Sequence, residues 1–370
     1  NARSQSRISD HEILSALKRK GEVKIFETDF KQFTTGKSNK NDLRERIFLC
    51  KVSSGVKSKK NVVASRRNPV QQGFVKSPLN YTGGKHKLLP QITKLFPKDI
   101  DTFYDVFAGG ANVGINARAS RIVCVEKNKY VTSLLQLIQK TNFDDLNQKI
   151  LNTIEEFGLS QSYIKGYDFY GADSSSGLGK INKEAFIKLR DEFNKDKDRI
   201  DLLLVLVLYS FNNQIRFNTK GHFNLPVGKR DYNGSSRKNI AAFNQLANEK
   251  KLTFKNTDFR NIEKLTITGN DFVYLDPPYL LGLASYNELG GWTEQDERDL
   301  YSLLTRLDKR GVRFALSNVI EHKGETNTIM KLWAKENGYA VNKLDFHYKN
   351  SNYHSTAKDN ITVEVLVTNY

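Results

Sequence analysis

The segment DFVYLDPPY ends a run of strand-forming residues with an acid, two prolines and a tyrosine. Proline cannot donate a backbone hydrogen bond, so Pro277 and Pro278 must end the strand and stiffen the corner that follows it. The corner would present the Asp276 carboxylate, the Pro277 carbonyl and the Tyr279 ring. Two acceptors beside a flat ring suit the exocyclic amine of a planar base that stacks on that ring. A plain surface turn, which Asp-Pro commonly opens, is the alternative.

A glycine-rich turn follows another apolar run, in YDVFAGGANVG. Glycine lets the backbone approach a ligand, and doubly wound sheets bind cofactors near such a turn, at the carboxyl ends of their strands. Gly109 and Gly110 do not form the GxGxxG dinucleotide pattern. The next strand-like run, RIVCVE, ends in Glu126, where a carboxylate often binds a ribose hydroxyl. The two features together indicate an adenosine-containing cofactor, although Glu126 could simply be a charge at a helix N-terminus.

An alternating pattern of strands and helices, which begins near Pro78, must position these motifs. Strand-like runs such as FYDVFAG, LTFKNTDF and RFALSN alternate with helical patterns such as KYVTSLLQLIQK. This alternation predicts an α/β fold with a parallel sheet wrapped by helices. Residues 141–250, with helical patterns and a polar, turn-rich stretch, interrupt it. We therefore predict a sheet domain of residues 78–140 and 251–370 with a second domain inserted at 141–250.

Residues 1–50 show a separate pattern, a helix followed by two strands around a polar loop. Residues 51–77 carry seven basic residues and no acid, which predicts a basic linker. The segment 23–52 can be superposed on 341–370 without a gap, and a helical pattern precedes each segment. This correspondence favours an internal repeat, in which residues 1–50 would close a preceding unit of the same kind. Two unrelated hairpins of a common type are the alternative.

The charge of the chain points to a class of partner. Its 370 residues include 58 Lys and Arg against 41 Asp and Glu, a formal net charge of +17. Such an excess favours a polyanionic partner, nucleic acid before membrane, although a solvated basic surface would also account for it. Cys50 and Cys124 lack the spacing of a disulfide framework or a zinc site. The sequence shows no membrane-length apolar run and no signal-peptide pattern, so we expect a cytoplasmic protein.

Four motifs, in order along the chain, resemble those of the Dam-like (D12 class, alpha-group) DNA adenine-N6 methyltransferases. They are LNYTGGKHKLL with Tyr81 in place of the usual tryptophan, VFAGGANVG without the usual preceding proline and third glycine, NTDF, and DPPY. The stretch FNNQIRFNTKGHFNLPVGK also resembles the family's DNA-contacting hairpin, although Asn213 replaces a frequent glycine. The resemblance covers residues 78–370 and implies a Rossmann-like, mostly parallel seven-stranded sheet with an inserted, mainly helical DNA-recognition domain that contains the hairpin.

The resemblance also implies roles for individual residues. The cofactor would be S-adenosyl-L-methionine (SAM), with S-adenosylhomocysteine as product, bound by Tyr81, Gly84, Lys85, Phe107, Ala108, Gly109, Gly110, Glu126, Asp258 and Phe259. Within this set Tyr81 and Lys85 would hold the methionine end of SAM, Glu126 the ribose, and Asp258 and Phe259 the adenine. The catalytic residues would be Asp276, Pro277, Pro278 and Tyr279. DNA would be bound by Arg216, Asn218, Lys220, His222, Asn224, Lys229 and Arg230, among which Arg suits guanine, Asn suits adenine and Lys suits phosphate.

We therefore expect a site-specific enzyme that methylates N6 of a flipped adenine in double-stranded DNA, as part of a restriction–modification system. N4-cytosine methylation, RNA N-methylation and a catalytically degenerate DNA-binding specificity module are the alternatives. We expect a monomer that needs neither metal nor membrane and that serves beside a cognate restriction endonuclease. If the internal repeat is real, the chain is the C-terminal half of a tandem methylase.

Overall fold

The structure, a computed structural model, describes residues 14, 17, 21–29, 44–52, 73–81, 83–172, 177–281, 291–345 and 362–370. The chain divides into two compact units, Asn1–Gln71 and Gln72–Tyr370. Most of the predicted linker, residues 53–72, lies outside the described residues, as do residues 346–361. No helix in the described ranges is both long and apolar enough to cross a membrane.

The first unit contains an antiparallel hairpin of two strands, β1 (Gly21–Asp29) and β2 (Arg44–Val52). Leu14 and Leu17, which belong to the predicted preceding helix, are helical. Ile25 of β1 exposes 43% of its surface. A two-stranded hairpin is marginally stable by itself, and an exposed isoleucine indicates a face that could still be covered.

The second unit is built around one sheet with the strand order β5-β4-β3-β6-β7-β10-β9. Its strands are β3 (Thr102–Val106), β4 (Arg121–Glu126), β5 (Thr253–Asn256), β6 (Phe272–Leu275), β7 (Arg313–His322), β9 (Ala340–Lys343) and β10 (Thr362–Thr368), and the short β8 (Glu325–Thr326) pairs with β7. The first five strands of this order, β5, β4, β3, β6 and β7, run parallel to one another. Strand β10 pairs antiparallel with both β7 and β9. The predicted α/β fold with a mostly parallel sheet is confirmed, with β8 as an addition to its seven main strands.

Helices cover both faces of this sheet. They are α1 (Leu89–Leu95), α2 (Lys129–Lys140), α3 (Phe143–Phe157), α4 (Ser162–Lys165), α5 (Gly179–Lys195), α6 (Ile200–Tyr209), α7 (Gly234–Glu249), α8 (Glu294–Lys309) and α9 (Thr328–Glu336). Side chains alternate across a strand, so Phe272 and Tyr274 of β6 enter the core with α1 to α3 and α5 to α7, whereas Val273 and Leu275 enter the core with α8 and α9. Strand β6 is therefore buried on both faces, which explains its uninterrupted apolar run.

Helices α3 to α7 lie between β4 and β5 in the chain, where the inserted domain is predicted. Helix α6 is apolar on all sides and its residues 202–209 are buried, so it forms the centre of this region. The same hydrophobic core includes Phe193 of α5 and Phe103 of the sheet. The division into a sheet domain and a recognition domain stays a prediction, because one continuous core joins the two.

The chain ends in the order helix, strand, loop, strand, as the internal repeat requires. Helix α9 precedes β9, which pairs antiparallel with β10 as β1 pairs with β2. The ungapped superposition would pair Ile25 with Ile47, because Lys343 pairs with Val365, but the structure pairs Ile25 with Phe48. A one-residue difference moves every side chain to the other face of a strand. If the two segments are repeats, the first hairpin therefore has one more residue between its paired positions than the second.

Candidate catalytic and cofactor site

The candidate site lies at the carboxyl ends of the neighbouring parallel strands β3, β4 and β6. Such strands end at the same edge of a sheet, so the glycine-rich turn, Glu126 and Asp276 come together there. The Asp276 N–H donates to the Val106 carbonyl at 3.3 Å, and the Ala108 N–H donates to the Val125 carbonyl at 3.0 Å. These hydrogen bonds continue the sheet just beyond the strand ends and fix where the turn and the DPPY corner begin.

The Asp276 carboxylate is held by a lysine and a tyrosine. The Lys85 Nζ atom lies 2.8 Å from its Oδ1 atom and 2.9 Å from its Oδ2 atom, and the Tyr279 hydroxyl donates to Oδ1 at 3.2 Å. The Lys85 side chain is only 4% exposed and that of Asp276 is 17% exposed. Burial raises the pKa of the Asp276 carboxyl above its ordinary value, although the Lys85 ammonium and the Tyr279 hydroxyl oppose this. A carboxylate has about four acceptor positions, so Asp276 can accept a further N–H.

The rest of the DPPY corner is partly covered. Pro277 is buried, and Pro278 and Tyr279 are half-buried. The Lys85 Nζ atom lies 5.0 Å from the centre of the Tyr279 ring, so the same ammonium contacts both the Asp276 carboxylate and the Tyr279 ring. Lys85, which we expected at the methionine end of the cofactor, therefore also braces the predicted catalytic residues.

Residues 73–81 form the opening segment of the second unit. Because Gly109 and Gly110 have no side chains, this segment can lie in close contact with the turn. A Cβ atom on Gly109, whose φ is +48°, would lie 2.6 Å from Cδ1 of Tyr81. A Cβ atom on Gly110 would lie 2.6 Å from Oγ of Ser77. The Ser77 N–H also donates to Oδ1 of Asn112 at 3.0 Å. The glycines are thus required by protein packing as well as by any ligand, and Tyr81, for which the sequence predicts a place at the methionine end of the cofactor, lies against the turn.

Two non-glycine residues of this turn have left-handed backbone conformations. Phe107 has φ 64° and Ala111 has φ 57°. Such conformations are uncommon for residues with a Cβ atom and persist only where the surroundings hold them. The opening segment supplies part of this support, because its Ser77 N–H donates to Oδ1 of Asn112, the residue after Ala111. Gly84, another predicted cofactor residue, donates its N–H to the Tyr81 carbonyl at 3.2 Å and so fixes the chain that follows Tyr81. The turn is consequently held in one shape by its neighbours.

Glu126 fixes the turn through two backbone amides. Its Oε2 atom accepts the N–H of Gly109 at 2.9 Å, and its Oε1 atom accepts the N–H of Asn128 at 2.8 Å. Burial raises the pKa of the Glu126 carboxyl above its usual value, although these amides favour the charged form. Both oxygens keep acceptor capacity for a hydroxyl group. Glu126 lies where a ribose-binding carboxylate is expected, and it also shapes the turn.

Asp105 is a buried acid that sequence reasoning missed. Its Oδ2 atom accepts the N–H of Gly114 at 2.7 Å. Burial raises the pKa of its carboxyl to about 7; the Gly114 amide opposes this, and the negative charges of Asp276 and Glu126 add to it. An acid inside the apolar run YDVF, just before the turn, was the available signal. Asp105 keeps its proton below about pH 7, so Glu126 and Asp276 supply the carboxylate charge that suits a cationic ligand.

Asp258 and Phe259 lie beyond β5, on the far side of Glu126. The Asp258 carboxylate accepts the N–H of Arg260 at 3.0 Å and lies 3.0 Å from Nζ of Lys127. Burial alone would raise the pKa of Asp258, but these donors outweigh it and the pKa is lowered. Phe259 is buried. Asp258 is thus an ionised acceptor at the sheet edge.

Phe259 belongs to an aromatic cluster with Phe107 and Trp292. The Phe107 and Phe259 ring centres are 5.1 Å apart, and the Trp292 ring lies 5.6 Å from each. The cluster joins the glycine-rich turn, the segment after β5 and the start of α8. Trp292 was not predicted, because nothing in its local sequence distinguishes it from a core residue.

Among the predicted DNA-binding residues, five lie on a short hairpin. Phe217 and Phe223 form an antiparallel bridge, and the Asn218 N–H donates to the His222 carbonyl at 2.9 Å. Asn218, Lys220 and His222 are exposed at the tip. Arg216 and Asn224 are half-buried and pair across the base, with Arg216 Nε donating to Asn224 Oδ1 at 2.9 Å. Lys229 and Arg230 follow the hairpin and are exposed.

Aromatic packing anchors this hairpin and leaves its tip exposed. Phe217 stacks on Tyr130 of α2 with ring centres 4.2 Å apart, and buried Phe223 meets the edge of Phe193 of α5. Before the hairpin, Asn213 has φ 54° and its amide caps α6 by donating to the Leu208 carbonyl at 2.6 Å. Asparagine tolerates this conformation, which accounts for its presence where the family often has glycine.

The arrangement has two parts with different chemistry. Carboxylates, a strained turn and aromatic rings surround the sheet edge, and a polar, basic hairpin stands on the inserted helices. Asn80, next to Tyr81, donates its amide to the Asn212 carbonyl at 2.7 Å and so links the opening segment to the chain just before the hairpin. Within the described part of the chain, no three His, Cys, Asp or Glu side chains are grouped so that they could hold a metal ion.

Comparison with known proteins identifies the family of this fold and site. The D12 class N6 adenine-specific DNA methyltransferase family matches residues 81–345. The chain is 35% identical to the type II methyltransferase M.FokI of Planomicrobium okeanokoites, over 99% of this chain and 55% of that protein. It is 36% identical to the modification methylase StsI of Streptococcus sanguinis, over 98% and 54%, and 33% identical to the modification methylase LlaI of Lactococcus lactis, over 80% and 43%. The chain spans about half the length of these curated relatives.

Proposed function

This chain belongs to the D12 class N6 adenine-specific DNA methyltransferase family, and we propose that it transfers a methyl group from SAM to N6 of a flipped adenine in double-stranded DNA. The observation that carries the proposal is the position of the Asp276–Pro277 corner beside the glycine-rich turn, at one edge of the sheet. The corner offers two acceptors for an amine, and the cofactor would lie against the turn. The two reacting molecules would thus meet between β3 and β6.

The side chains at this edge fit SAM. Glu126 and Asp276 place two carboxylates beside the turn, and bound SAM would supply an electrophilic methyl group on a positively charged sulfonium. Glu126 would bind the ribose, and Asp258 and Phe259 would bind the adenine. Tyr81, Gly84 and Lys85 would line the methionine end, while Phe107, Ala108, Gly109 and Gly110 would form the backbone wall.

Asp276 would act on the amine of the target base. Its carboxylate and the Pro277 carbonyl would each accept one N6–H, which favours a tetrahedral nitrogen whose lone pair points at the methyl group. The new N–C bond would form as the S–C bond breaks, and N6 would then release one proton. Lys85 would keep Asp276 ionised and oriented, while Tyr279 would stack on the base. Transfer would need the base outside the helix, at a cost of a few kcal/mol of unstacking.

The hairpin would read the DNA. Exposed Asn218, Lys220 and His222 would reach the duplex first, with Lys220 suited to a phosphate. Arg216 and Asn224, which hydrogen-bond to each other at the base of the hairpin, would lie behind the tip residues. Lys229 and Arg230 would add phosphate contacts beside the hairpin.

A tandem architecture would account for the first unit. The relatives are about twice as long as this chain, and they align with almost all of it. The β1–β2 hairpin has the same order and direction as β9–β10 and exposes Ile25. We therefore propose that residues 1–50 close a preceding methyltransferase unit and that each unit modifies one strand of an asymmetric site, beside a cognate restriction endonuclease.

The test is transfer of radiolabelled methyl groups from SAM to plasmid DNA, followed by digestion to nucleosides. We expect label in N6-methyladenine at one short motif. Asp276→Ala should abolish transfer, whereas Asp145→Ala, which removes an exposed acid of α3, should not. Binding of S-adenosylhomocysteine to both variants shows whether the site is intact. Label in N4-methylcytosine or in RNA, or full activity of the Asp276 variant, would refute the proposal.

A further inference from the structure

Glu297 is a fully buried acid that no part of the proposed mechanism uses. It lies on α8, and its relative exposure is 0%. Its carboxylate accepts hydrogen bonds from the Trp292 indole, the Tyr301 hydroxyl and the side-chain amides of Asn318 and Asn327. All four donors are neutral, and none of the ion pairs found in the described part of the chain involves Glu297. A buried carboxylate is costly unless each oxygen is satisfied, so this cluster is a specific arrangement.

The two carboxylate oxygens have different partners. Oε1 accepts from Tyr301, from Asn318 at 3.0 Å and from Asn327 at 2.9 Å, and so ties α8 to β7 and to the start of α9. Oε2 accepts from Nε1 of Trp292 at 2.5 Å. Oε1 therefore links three elements of the core, whereas Oε2 accepts a hydrogen bond from the Trp292 ring alone.

Trp292 carries this interaction to the cofactor edge of the sheet. Its ring lies 5.6 Å from Phe107, in the glycine-rich turn, and 5.6 Å from Phe259, after β5. Phe107 and Trp292 are half-buried, so the cluster keeps an accessible side. A hydrogen bond to a charged acceptor is strong and directional, and it fixes the plane of an indole more firmly than packing alone.

We propose that Glu297 is a positioning residue that orients the Trp292 ring as the third aromatic wall of the adenosine site. The inference rests on the proposed function, because it takes the ligand of this edge to be SAM. A planar purine can pack on the accessible side of rings held at a fixed angle, and its affinity falls when a ring must be ordered on binding. Glu297 would act through Trp292 and contact neither substrate.

The substitution Glu297→Gln separates the two oxygens. A glutamine has one carbonyl oxygen, and the three donors at the Oε1 position will hold it there. Its amide group then replaces Oε2 and faces the indole N–H, so two donors oppose each other. The contacts to Asn318 and Asn327 persist while Trp292 loses its acceptor.

The test measures binding of S-adenosylhomocysteine by calorimetry in a double-mutant cycle with Trp292→Phe, which keeps a ring but has no N–H. We expect Glu297→Gln to weaken binding about tenfold in the parent, the size of one lost hydrogen bond to a charged group, and to change it less than twofold in the Trp292→Phe background. The exposed acid Glu294 of the same helix gives the matched control, Glu294→Gln, which should leave binding unchanged.

A second readout follows the ring itself. Trp292 and Trp333 are the two tryptophans of the chain, so Trp333→Phe leaves Trp292 as the sole reporter. In that background we expect S-adenosylhomocysteine to quench the fluorescence and Glu297→Gln to increase quenching by acrylamide. Equal losses of affinity with and without the indole, no loss in the parent, or no binding to the wild type would overturn the inference. Methyl transfer to DNA is assayed separately, so a chain that binds the ligand but methylates no DNA would refute only the proposed function.

Discussion

Replacing Asp105 by asparagine should make the stability of the protein less dependent on pH. Asp105 is buried, and the pKa of its carboxyl is raised from 3.8 to about 7, chiefly by burial. The folded state therefore keeps a proton that the unfolded chain releases above pH 4. Stability falls as pH rises wherever the folded state binds more protons, so this group destabilises the protein progressively between about pH 4 and pH 7.

The size of the effect follows from the shift. Each pKa unit corresponds to about 1.4 kcal/mol, so a shift of about 3 units destabilises the fold by about 4 kcal/mol once the carboxyl is ionised at pH 8. At pH 5.5 about half of this penalty is already present, because the unfolded carboxyl has lost its proton and the folded one has not. Asparagine cannot ionise, and its Oδ1 atom can still accept the N–H of Gly114. Relative to wild type, Asp105→Asn should therefore gain about 2 kcal/mol between pH 5.5 and pH 8.

Urea denaturation followed by tryptophan fluorescence measures this difference. With a slope of about 2–3 kcal/mol per molar, the midpoint of the variant relative to wild type should rise by about 0.7–1 M between the two pH values. Asp101→Asn, at an exposed position just before the same strand, is the matched control and should follow the wild-type pH dependence. Parallel curves for wild type and Asp105→Asn would show that Asp105 is already ionised at pH 5.5 and would refute the reasoning.

Three other substitutions test the site and the DNA surface. Lys85→Met should lower kcat about a hundredfold and move the acidic limb of the pH–rate profile upward, because Asp276 loses the ammonium that favours its charged form; an unmoved limb would contradict this. Gly110→Ala should lower the free energy of unfolding by about 1–3 kcal/mol, because its Cβ atom would lie 2.6 Å from Ser77 Oγ, and urea denaturation measures it. Lys220→Ala should reduce the slope of log Kd for DNA against log salt by about one, if its ammonium neutralises one phosphate; an unchanged slope would place the hairpin tip away from the backbone.

The fold was predictable where local pattern and tertiary burial agree. Strand β6 reads as an apolar run that ends at two prolines, and the structure places both of its faces in hydrophobic cores. Glu126 was predictable in the same way, since it ends a strand about twenty residues beyond the glycines. Regular periodicity and turn chemistry are local properties, so a single sequence contains them.

The contacts that brace the site were not predictable, because the partners in each contact are remote in sequence. Lys85 and Asp276 are 191 residues apart, and Asn327 reaches Glu297 from 30 residues away. Their burial depends on strand order rather than on any nearby pattern. The one-residue difference in strand register between the two terminal hairpins was not predictable for the same reason, because register is set by pairing between distant residues. An ungapped comparison of the two segments cannot detect a gap of one residue.

The chain has a positive net charge, whereas the site contains carboxylates. This difference follows from the two ligands that the proposed reaction needs. A chain with a net charge of +17 attracts a polyanion over its whole surface, and such attraction needs little geometric detail. A sulfonium cofactor needs the reverse, a small negative region protected from that surface, and the carboxylates of Glu126 and Asp276 provide it at the end of a buried sheet. Lys85 neutralises only the acid that would contact the DNA base. Net charge therefore indicates the polymer, whereas the cofactor can be inferred only from acids that the fold brings together.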